Sequence, residues 1–338
     1  MAPLRWGIVG CGDIAHKSVA PILAADRNSE LVAFFSHSMQ RAEYMRETFG
    51  ATQACDSLEA LLGNERIEAV YIASPVHRHC PETLAALAAG KHVICEKPMA
   101  LSAAECARMV DAAVEHDVHL RVAYYRRFWP KSRMMKRLIS EGAIGRPLSA
   151  RIRLASRFDP ERDDPKYWRV GLATGGGGAL QDVGSHRIDI MCFLLGRPRR
   201  VVGAAATLSM SYEAPDTETL ICEFDSGVQM VCETCWNIPQ AVDEFEVRGT
   251  DGTLLATPFD GPSLVLDRYT EREVFDTPSP PTLRHQGMLE DFSEAVSEGR
   301  APGFSALDGL LTTAIIDAAY RSNASGRWEE TASGALRT

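Results

Sequence analysis

Residues 182 to 189 read Asp-Val-Gly-Ser-His-Arg-Ile-Asp and follow the four glycines Gly175–Gly178. On a helix Asp182 and His186 stand four residues apart on one face, with Asp189 three further on. A carboxylate beside an imidazole orients the ring and raises its pKa, which suits a general acid or base working near neutral pH. Two other readings fit the same residues: a structural histidine satisfied by Asp182, and a metal site, which lacks a persuasive third ligand. A second candidate is Lys97 in Val93-Ile-Cys95-Glu96-Lys97-Pro98, at the end of a β-branched run. Open α/β sheets bind their ligands at such carboxyl ends. Pro98 restricts Lys97 to an extended backbone, so its ammonium projects from a rigid edge.

The third candidate binds rather than reacts. Gly7-Ile-Val-Gly10-Cys11-Gly12-Asp13-Ile14-Ala15 is a G-x-G-x-x-A that closes the first apolar run and opens a helix. Gly10 permits the tight turn, Gly12 lets backbone approach a pyrophosphate, and Ala15 allows close helix packing. The N–H groups of Cys11, Asp13 and Ile14 then lie at a helix N-terminus, which favours an anion. The second strand selects the cofactor. An acidic residue at its end would bind the ribose hydroxyls of NAD, but the sequence is Phe35-Ser36-His37-Ser38-Met39-Gln40-Arg41, with no carboxylate before Glu43. Ser36, His37 and Arg41 suit a 2′-phosphate instead. The expected cofactor is NADP, with NAD possible.

The elements that must hold these residues follow from pattern. The first third alternates β-branched runs (Leu4–Val9, Leu31–Phe35, Ala69–Ala73, His92–Cys95, Leu120–Ala123) with helical ones (from Asp13, Gln40–Phe49, Pro81–Ala89, Ser102–Glu115). That alternation predicts a doubly wound parallel sheet covered on both faces. Ser102-Ala-Ala-Glu105 reads as a capping box. After the helical Arg133–Ile139 the pattern becomes strand-rich: Ser149–Arg157, Arg199–Ser211, Thr217–Phe224 joined to Val228–Trp236 through Asp225-Ser-Gly227, and Phe245–Gly249 joined to Thr253–Ala256 through Thr250-Asp-Gly252. Helices are expected at Gly178–Leu195, Arg284–Ser297 and Ser305–Ser322. The second half is therefore predicted to be a mostly antiparallel sheet with helices.

Composition narrows the function. A chain of 338 residues suggests about two domains. A net charge of −9 with no basic tract argues against nucleic acid and anionic lipid. No apolar stretch approaches a membrane span, and the N-terminus lacks a signal-peptide core, so a cytoplasmic location is expected. Nine scattered cysteines fit free thiols in a reducing compartment. Cys232 and Cys235 have metal-like spacing, but on a strand they point to opposite faces, and no metal is expected.

Together the three motifs resemble the Gfo/Idh/MocA family of NAD(P)-dependent oxidoreductases, whose marks are a Rossmann turn, a Glu-Lys-Pro, and a glycine-rich loop before D-x-G-x-H-x-x-D. Tyr125-Arg-Arg-Phe128, Glu141-Gly-Ala-Ile-Gly145 and Ala306-Leu-Asp-Gly309 also look familial. The resemblance implies a Rossmann domain over residues 1–125 and a C-terminal α/β domain over 126–338, whose open sheet carries substrate and oligomer surfaces of a homodimer or homotetramer. It implies that Lys97 contacts substrate and nicotinamide ribose, that His186 carries the proton, and that Asp182 helps bind substrate. Ser74, His77, Glu96, Trp168 and Arg169 would line the cofactor cleft. Relatives often carry Asn where this chain has Tyr125, which leaves that substrate-side contact open. The implied substrate is a sugar, polyol or related hydroxylated ring. Two other classes remain: a redox-neutral NAD-using glycosidase or epimerase, and a non-catalytic nucleotide sensor, which would have no need of Lys97, Asp182 or His186.

Overall fold

The computed structural model describes residues 2–331. The chain forms two compact units, Met1–Tyr125 with Pro281–Leu310 and Arg126–Pro280 with Leu311–Thr338. In the first, β1 (Leu4–Val9), β2 (Ser29–Phe35), β3 (Gln53–Cys55), β4 (Ala69–Ile72), β5 (His92–Cys95) and β6 (Leu120–Val122) pair in parallel in the order β3-β2-β1-β4-β5-β6. The order reverses between β1 and β4, the point where such sheets open a ligand crevice. All four residues of β4 are buried, because helices cover both faces of the sheet and leave no polar side for alternation to mark.

Local chemistry sets the boundaries. Ser102 Oγ accepts the Glu105 N–H at 3.3 Å, as a capping box requires, but the Glu105 carboxylate reaches back to the Leu101 N–H rather than to that of Ser102. The fourth helix runs Val76–Ala88, five residues earlier than Pro81 suggested, and Pro81 lies inside it. Proline favours a first turn without being confined to it. The earlier start places His77 and His79 on the first turn, beside the end of β4.

The segment Pro281–Leu310 belongs with the first unit because of a buried cation. Arg121 on β6 is 1% exposed, and its guanidinium donates to Asp291 Oδ2 at 2.6 Å, Met288 O at 2.9 Å and Phe304 O at 3.2 Å. The same returning helix, Gln286–Glu298, sets Phe292 against Trp6 of β1 with ring centroids 5.7 Å apart. A single division at residue 125 describes only the first passage of the chain.

The second unit holds β7 (Pro147–Arg157), β8 (Pro198–Ala206), β9 (Thr217–Phe224), β10 (Gln229–Cys235), β11 (Asn237–Gly249), β12 (Gly252–Ala256), β13 (Ser263–Arg268), β14 (Arg272–Asp276) and β15 (Glu329–Glu330). They form one sheet, β14-β13-β12-β11-β7-β10-β9-β8-β15, antiparallel except where β10 meets β7. One face is apolar: Ile152, Cys222, Met230, Cys232, Phe245 and Leu254 pack in a core with Ile188 and Ile315 from the helices Ser185–Leu195 and Ala306–Ser325. The other face carries Arg153 between Glu233 and Glu244, and Val231 is 38% exposed. The predicted helix Gly178–Leu195 is in fact a five-residue π-type turn, Leu180–Gly184, that runs into the α-helix Ser185–Leu195. Among the described residues no helix is long and apolar enough to cross a membrane.

Candidate active site

The glycine turn after β1 has the geometry its sequence demands. Gly10 adopts φ +94°, and a Cβ there would lie 2.7 Å from the backbone of Ala73 and Ser74. No other residue fits. A Cβ on Gly12 would meet nothing, so backbone is accessible at that position. Behind it Ala15 is fully buried, whereas Asp13 pairs with Lys17 at 3.1 Å and Ile14 is 39% exposed. The turn fits a dinucleotide pyrophosphate: it is a cradle that side chains would fill, backed by helical N–H groups. The Cys11 thiol lies 3.7 Å from Phe35 O, and burial pushes its pKa up to about 12 against the opposing charge of Arg41. Burial thus favours the thiol over the more nucleophilic thiolate.

At the end of β2, Ser38 caps the helix Met39–Phe49 by accepting the Arg41 N–H, and Ser36 Oγ accepts the Ser38 N–H at 3.3 Å. His37 packs edge-on to Phe35 with centroids 5.3 Å apart, and Arg41 is exposed. Glu43, the first carboxylate of the segment, is engaged by Arg46.

The ends of β4 and β5 are tied together through residues that sequence reading passed over. Ser74 donates to Glu82, and His77 is exposed. His79, 1% exposed, sets its ring nitrogens 2.8 Å from Ser74 O and 2.9 Å from Pro98 O, so one imidazole braces two loops. Burial lowers its pKa and favours the neutral ring although both carbonyls pull the other way, and the neutral ring donates to only one of the two. The Lys97–Pro98 peptide is cis, and Lys97 is half-buried. Glu96 is 6% exposed and receives three donors: Tyr71 Oη–H at 2.6 Å, the Lys97 N–H at 3.1 Å and His285 Nε2 at 3.2 Å. Burial alone would raise its pKa, but His285, the Tyr71 hydroxyl and the Lys97 ammonium outweigh that and hold it below the ordinary carboxylate value. Glu96 is thus a buried anion directly before Lys97. Tyr125 packs against His285 with centroids 4.3 Å apart and the rings tilted by 54°.

In the second unit, Trp168 and Arg169 lie on the 3₁₀ turn Tyr167–Val170. Arg169 Nη1 donates to Asp182 Oδ2 at 2.7 Å, so a guanidinium is among the partners of that carboxylate. Loop and turn are held close by glycine: a Cβ on Gly178 would collide with the Pro215 carbonyl. His186 is 6% exposed in the first turn of its helix. Asp189 is fully buried and bonded to Arg127, with Nε 3.0 and 2.9 Å from its two oxygens and Nη2 2.7 Å from Oδ1. The last aspartate of the motif therefore anchors the helix. Arg187, next to His186, binds Asp243 and Asp260, which fixes the helix on its other side. Lys97 belongs to the first unit, and Asp182 and His186 to the second. The partners that sequence reading missed, His285, Tyr71, His79 and Arg127, have no local spacing signal: the bonds His79–Pro98, Tyr71–Glu96, Arg127–Asp189 and His285–Glu96 span 19, 25, 62 and 189 residues.

Comparison with known proteins gives the same architecture a family. Residues 4–124 match the oxidoreductase family with NAD-binding Rossmann fold, and residues 132–255 the GFO/IDH/MocA C-terminal domain. The chain is 30% identical over 335 residues to 1,5-anhydro-D-fructose reductase of Ensifer adhaerens, covering 98% of this chain and 99% of that protein. It is 30% identical over 327 residues to D-xylose 1-dehydrogenase (NADP(+)) 2 of Haloferax volcanii, covering 96% and 98%. Among solved structures, levoglucosan dehydrogenase in complex with NADH and levoglucosan superposes with a TM-score of 0.88 at 25% identity, covering 98% and 100%. The Rossmann sheet with its glycine turn, the open antiparallel sheet beyond it, and these relatives together make the chain an enzyme of the Gfo/Idh/MocA family, a dehydrogenase or reductase with an NAD(P)-binding Rossmann fold.

Proposed function

We propose that the enzyme moves a hydride between NADP(H) and a hydroxyl or keto carbon of a sugar or polyol, with Lys97 and His186 acting on the reacting oxygen. The observation that carries this reading is the setting of Lys97. It follows a buried, ionised Glu96 at the carboxyl end of a strand in a doubly wound sheet, the end at which such sheets bind ligands. The names of the relatives, an anhydrofructose reductase and xylose and levoglucosan dehydrogenases, support the sugar class.

The nicotinamide supplies the hydride chemistry when bound. Gly10, Cys11, Gly12, Asp13 and Ile14 would hold the pyrophosphate, and Ser36, His37 and Arg41 the 2′-phosphate. Ser74, His77, Glu96, Trp168 and Arg169 would line the rest of the dinucleotide. His186 takes or returns the proton at the substrate oxygen, and the Lys97 ammonium stabilises negative charge as it develops there. Asp182 and Tyr125 would bind further hydroxyls. Preference for NADP rests on the missing carboxylate after β2 and on the charge of Arg41 felt at Cys11. The first unit would serve the dinucleotide, and the open sheet of the second would serve substrate and the contact of a homodimer or homotetramer. Nine free cysteines fit a cytoplasmic enzyme.

The test is reduced-nicotinamide absorbance followed across anhydrohexuloses, aldopentoses, levoglucosan, inositols and trans-dihydrodiols with both cofactors. Turnover of a sugar, lost in Lys97→Ala while dinucleotide binding persists, is the expected result. Substrate conversion with no net absorbance change would replace the reading with a redox-neutral one, and Lys97→Ala turnover within a few-fold of wild type would remove the lysine from it.

A further inference from the structure

We propose that Glu218 is a positioning residue whose carboxylate clamps the turn carrying Asp182 into the His186 helix, so that the geometry of the proton-carrying segment depends on the charge of Glu218. This rests on the reading of His186 and Asp182 given above.

Glu218 lies on β9 and is 1% exposed. Its Oε2 accepts the Leu180 N–H at 2.6 Å and the Thr234 hydroxyl at 3.2 Å, and its Oε1 accepts the Tyr320 hydroxyl at 2.6 Å. Tyr320 Oη in turn accepts the Gly178 N–H at 3.4 Å. Both backbone donors belong to the junction between the glycine run and the π-type turn, two and four residues before Asp182. The set is built for a carboxylate, which accepts from several donors at once. A protonated acid must spend one oxygen on donation, and the Leu180 N–H cannot turn round to receive it. Only the two hydroxyls can: a bond to one of them then reverses, that hydroxyl's own proton loses its acceptor, and the Leu180 N–H is left with a neutral carbonyl oxygen in place of a charged one.

Burial works against that charge and pushes the Glu218 pKa up to about 7, although Tyr320, Leu180 and Thr234 all pull it down. The titratable groups that couple to it are Asp216 and Tyr212 before its strand, Cys232 and Cys235 on β10, and Tyr320 on the last helix. Each of these is an acid. The turn it binds carries Asp182, whose carboxylate is held by Arg169. The clamp is therefore tighter on the alkaline side of neutrality, where its bonds are charge-assisted, and looser on the acid side, independently of any titration of His186.

The experiment uses the full-length enzyme and hydrogen-exchange mass spectrometry of the peptide spanning residues 176–186, corrected for intrinsic exchange. In wild type, protection of this peptide rises about tenfold between about pH 6 and about pH 8. In Glu218→Gln it is low and flat across that range. In Tyr320→Phe, which keeps the carboxylate and deletes one donor, the rise moves to higher pH. The kinetic arm expects Glu218→Gln to lower kcat about tenfold at about pH 8, with the dinucleotide dissociation constant within about twofold of wild type. A flat wild-type profile, a Glu218→Gln profile superimposable on wild type, an unmoved Tyr320→Phe transition, or full kcat in Glu218→Gln would each overturn the proposal. If Glu218→Gln does not fold, wild type and Tyr320→Phe decide. If wild type turns over no sugar, the functional reading fails, and the exchange profiles still decide the clamp.

Discussion

His285 Nε2 lies 3.2 Å from Glu96 Oε1, and His285 Nδ1 lies 2.7 Å from Ser18 Oγ. With the proton on Nε2, the ring donates to the carboxylate and accepts from the serine, linking the helix behind the dinucleotide turn to the residue before Lys97. His285 is 2% exposed and is brought there by the chain's return to the first unit. His285→Ala leaves Glu96 a buried anion short of one donor, which costs about 1.5–3 kcal/mol at neutral pH. The sign with pH follows from Glu96. Its folded pKa lies below the unfolded value, so its contribution is present above that value and is lost as pH falls through the folded pKa. Urea unfolding should give the full difference between His285→Ala and wild type at neutral pH and a smaller one in acid, once Glu96 is protonated in both proteins. A constant difference would mean that His285 contributes packing alone.

Asp189 and Arg127 supply the second prediction. Both are buried and share a bidentate contact, so removing one charge strands the other. Asp189→Asn should destabilise the protein by about 3–5 kcal/mol, measured by urea unfolding, while the folded fraction keeps kcat within a few-fold of wild type. A large loss of kcat in protein that remains folded would instead place Asp189 in the reaction.

These two pairs also mark where the sequence stopped being readable. The sheet strands, the glycine turn and the two tight hairpins were legible because their signals are local: β-branched runs, a glycine forced to φ +94°, and Asp-Ser-Gly and Asp-Gly turns. For Glu96 the sequence offers a place in the Glu-Lys-Pro motif and the cofactor cleft, but not its state as a buried anion. The partners that make it an anion, Tyr71 and His285, lie 25 and 189 residues away, and no periodicity reports such contacts. The helix face that grouped Asp182 with His186 passes through a π-type turn that i,i+4 spacing cannot reveal, and the carboxylate's guanidinium partner, Arg169, is thirteen residues upstream. The strands β3, β13, β14 and β15 escape the sequence reading; β3, β14 and β15 are sheet edges, where, as at Val274, 64% exposed, burial leaves little imprint on composition.

Cofactor choice gives a third prediction. Arg41 is exposed, its charge is felt at Cys11, and the nearby Glu43 is engaged by Arg46. A guanidinium here favours a phosphate over a bare hydroxyl through charge-assisted bonds. Arg41→Ala should raise KM for NADPH about tenfold and leave KM for NADH within about twofold. Equal changes for both cofactors, measured with one saturating substrate, would show that Arg41 does not read the 2′-position.

The proposed role of His186 as proton carrier gives the fourth. His186 occupies the first turn of a helix held on both sides, by Asp189 on Arg127 and by Arg187 on Asp243 and Asp260. Such anchoring lets a mutation at His186 remove the ring without moving the backbone, so activity and fold can be read separately. An imidazole that carries the proton imposes a limb on kcat/KM near neutral pH and contributes roughly 10²–10⁴-fold to rate. His186→Ala should lose that much and flatten the limb, and His186→Gln should not restore it, because an amide binds the oxygen but does not exchange the proton. The clamp at Glu218 offers a competing source of pH dependence in the same range, since its carboxyl is pushed up to about 7. The two separate in the variants: His186→Ala abolishes the kinetic limb and leaves exchange of the 176–186 peptide pH-dependent, whereas Glu218→Gln flattens exchange first. An unchanged kinetic limb in His186→Ala would assign the proton to another group.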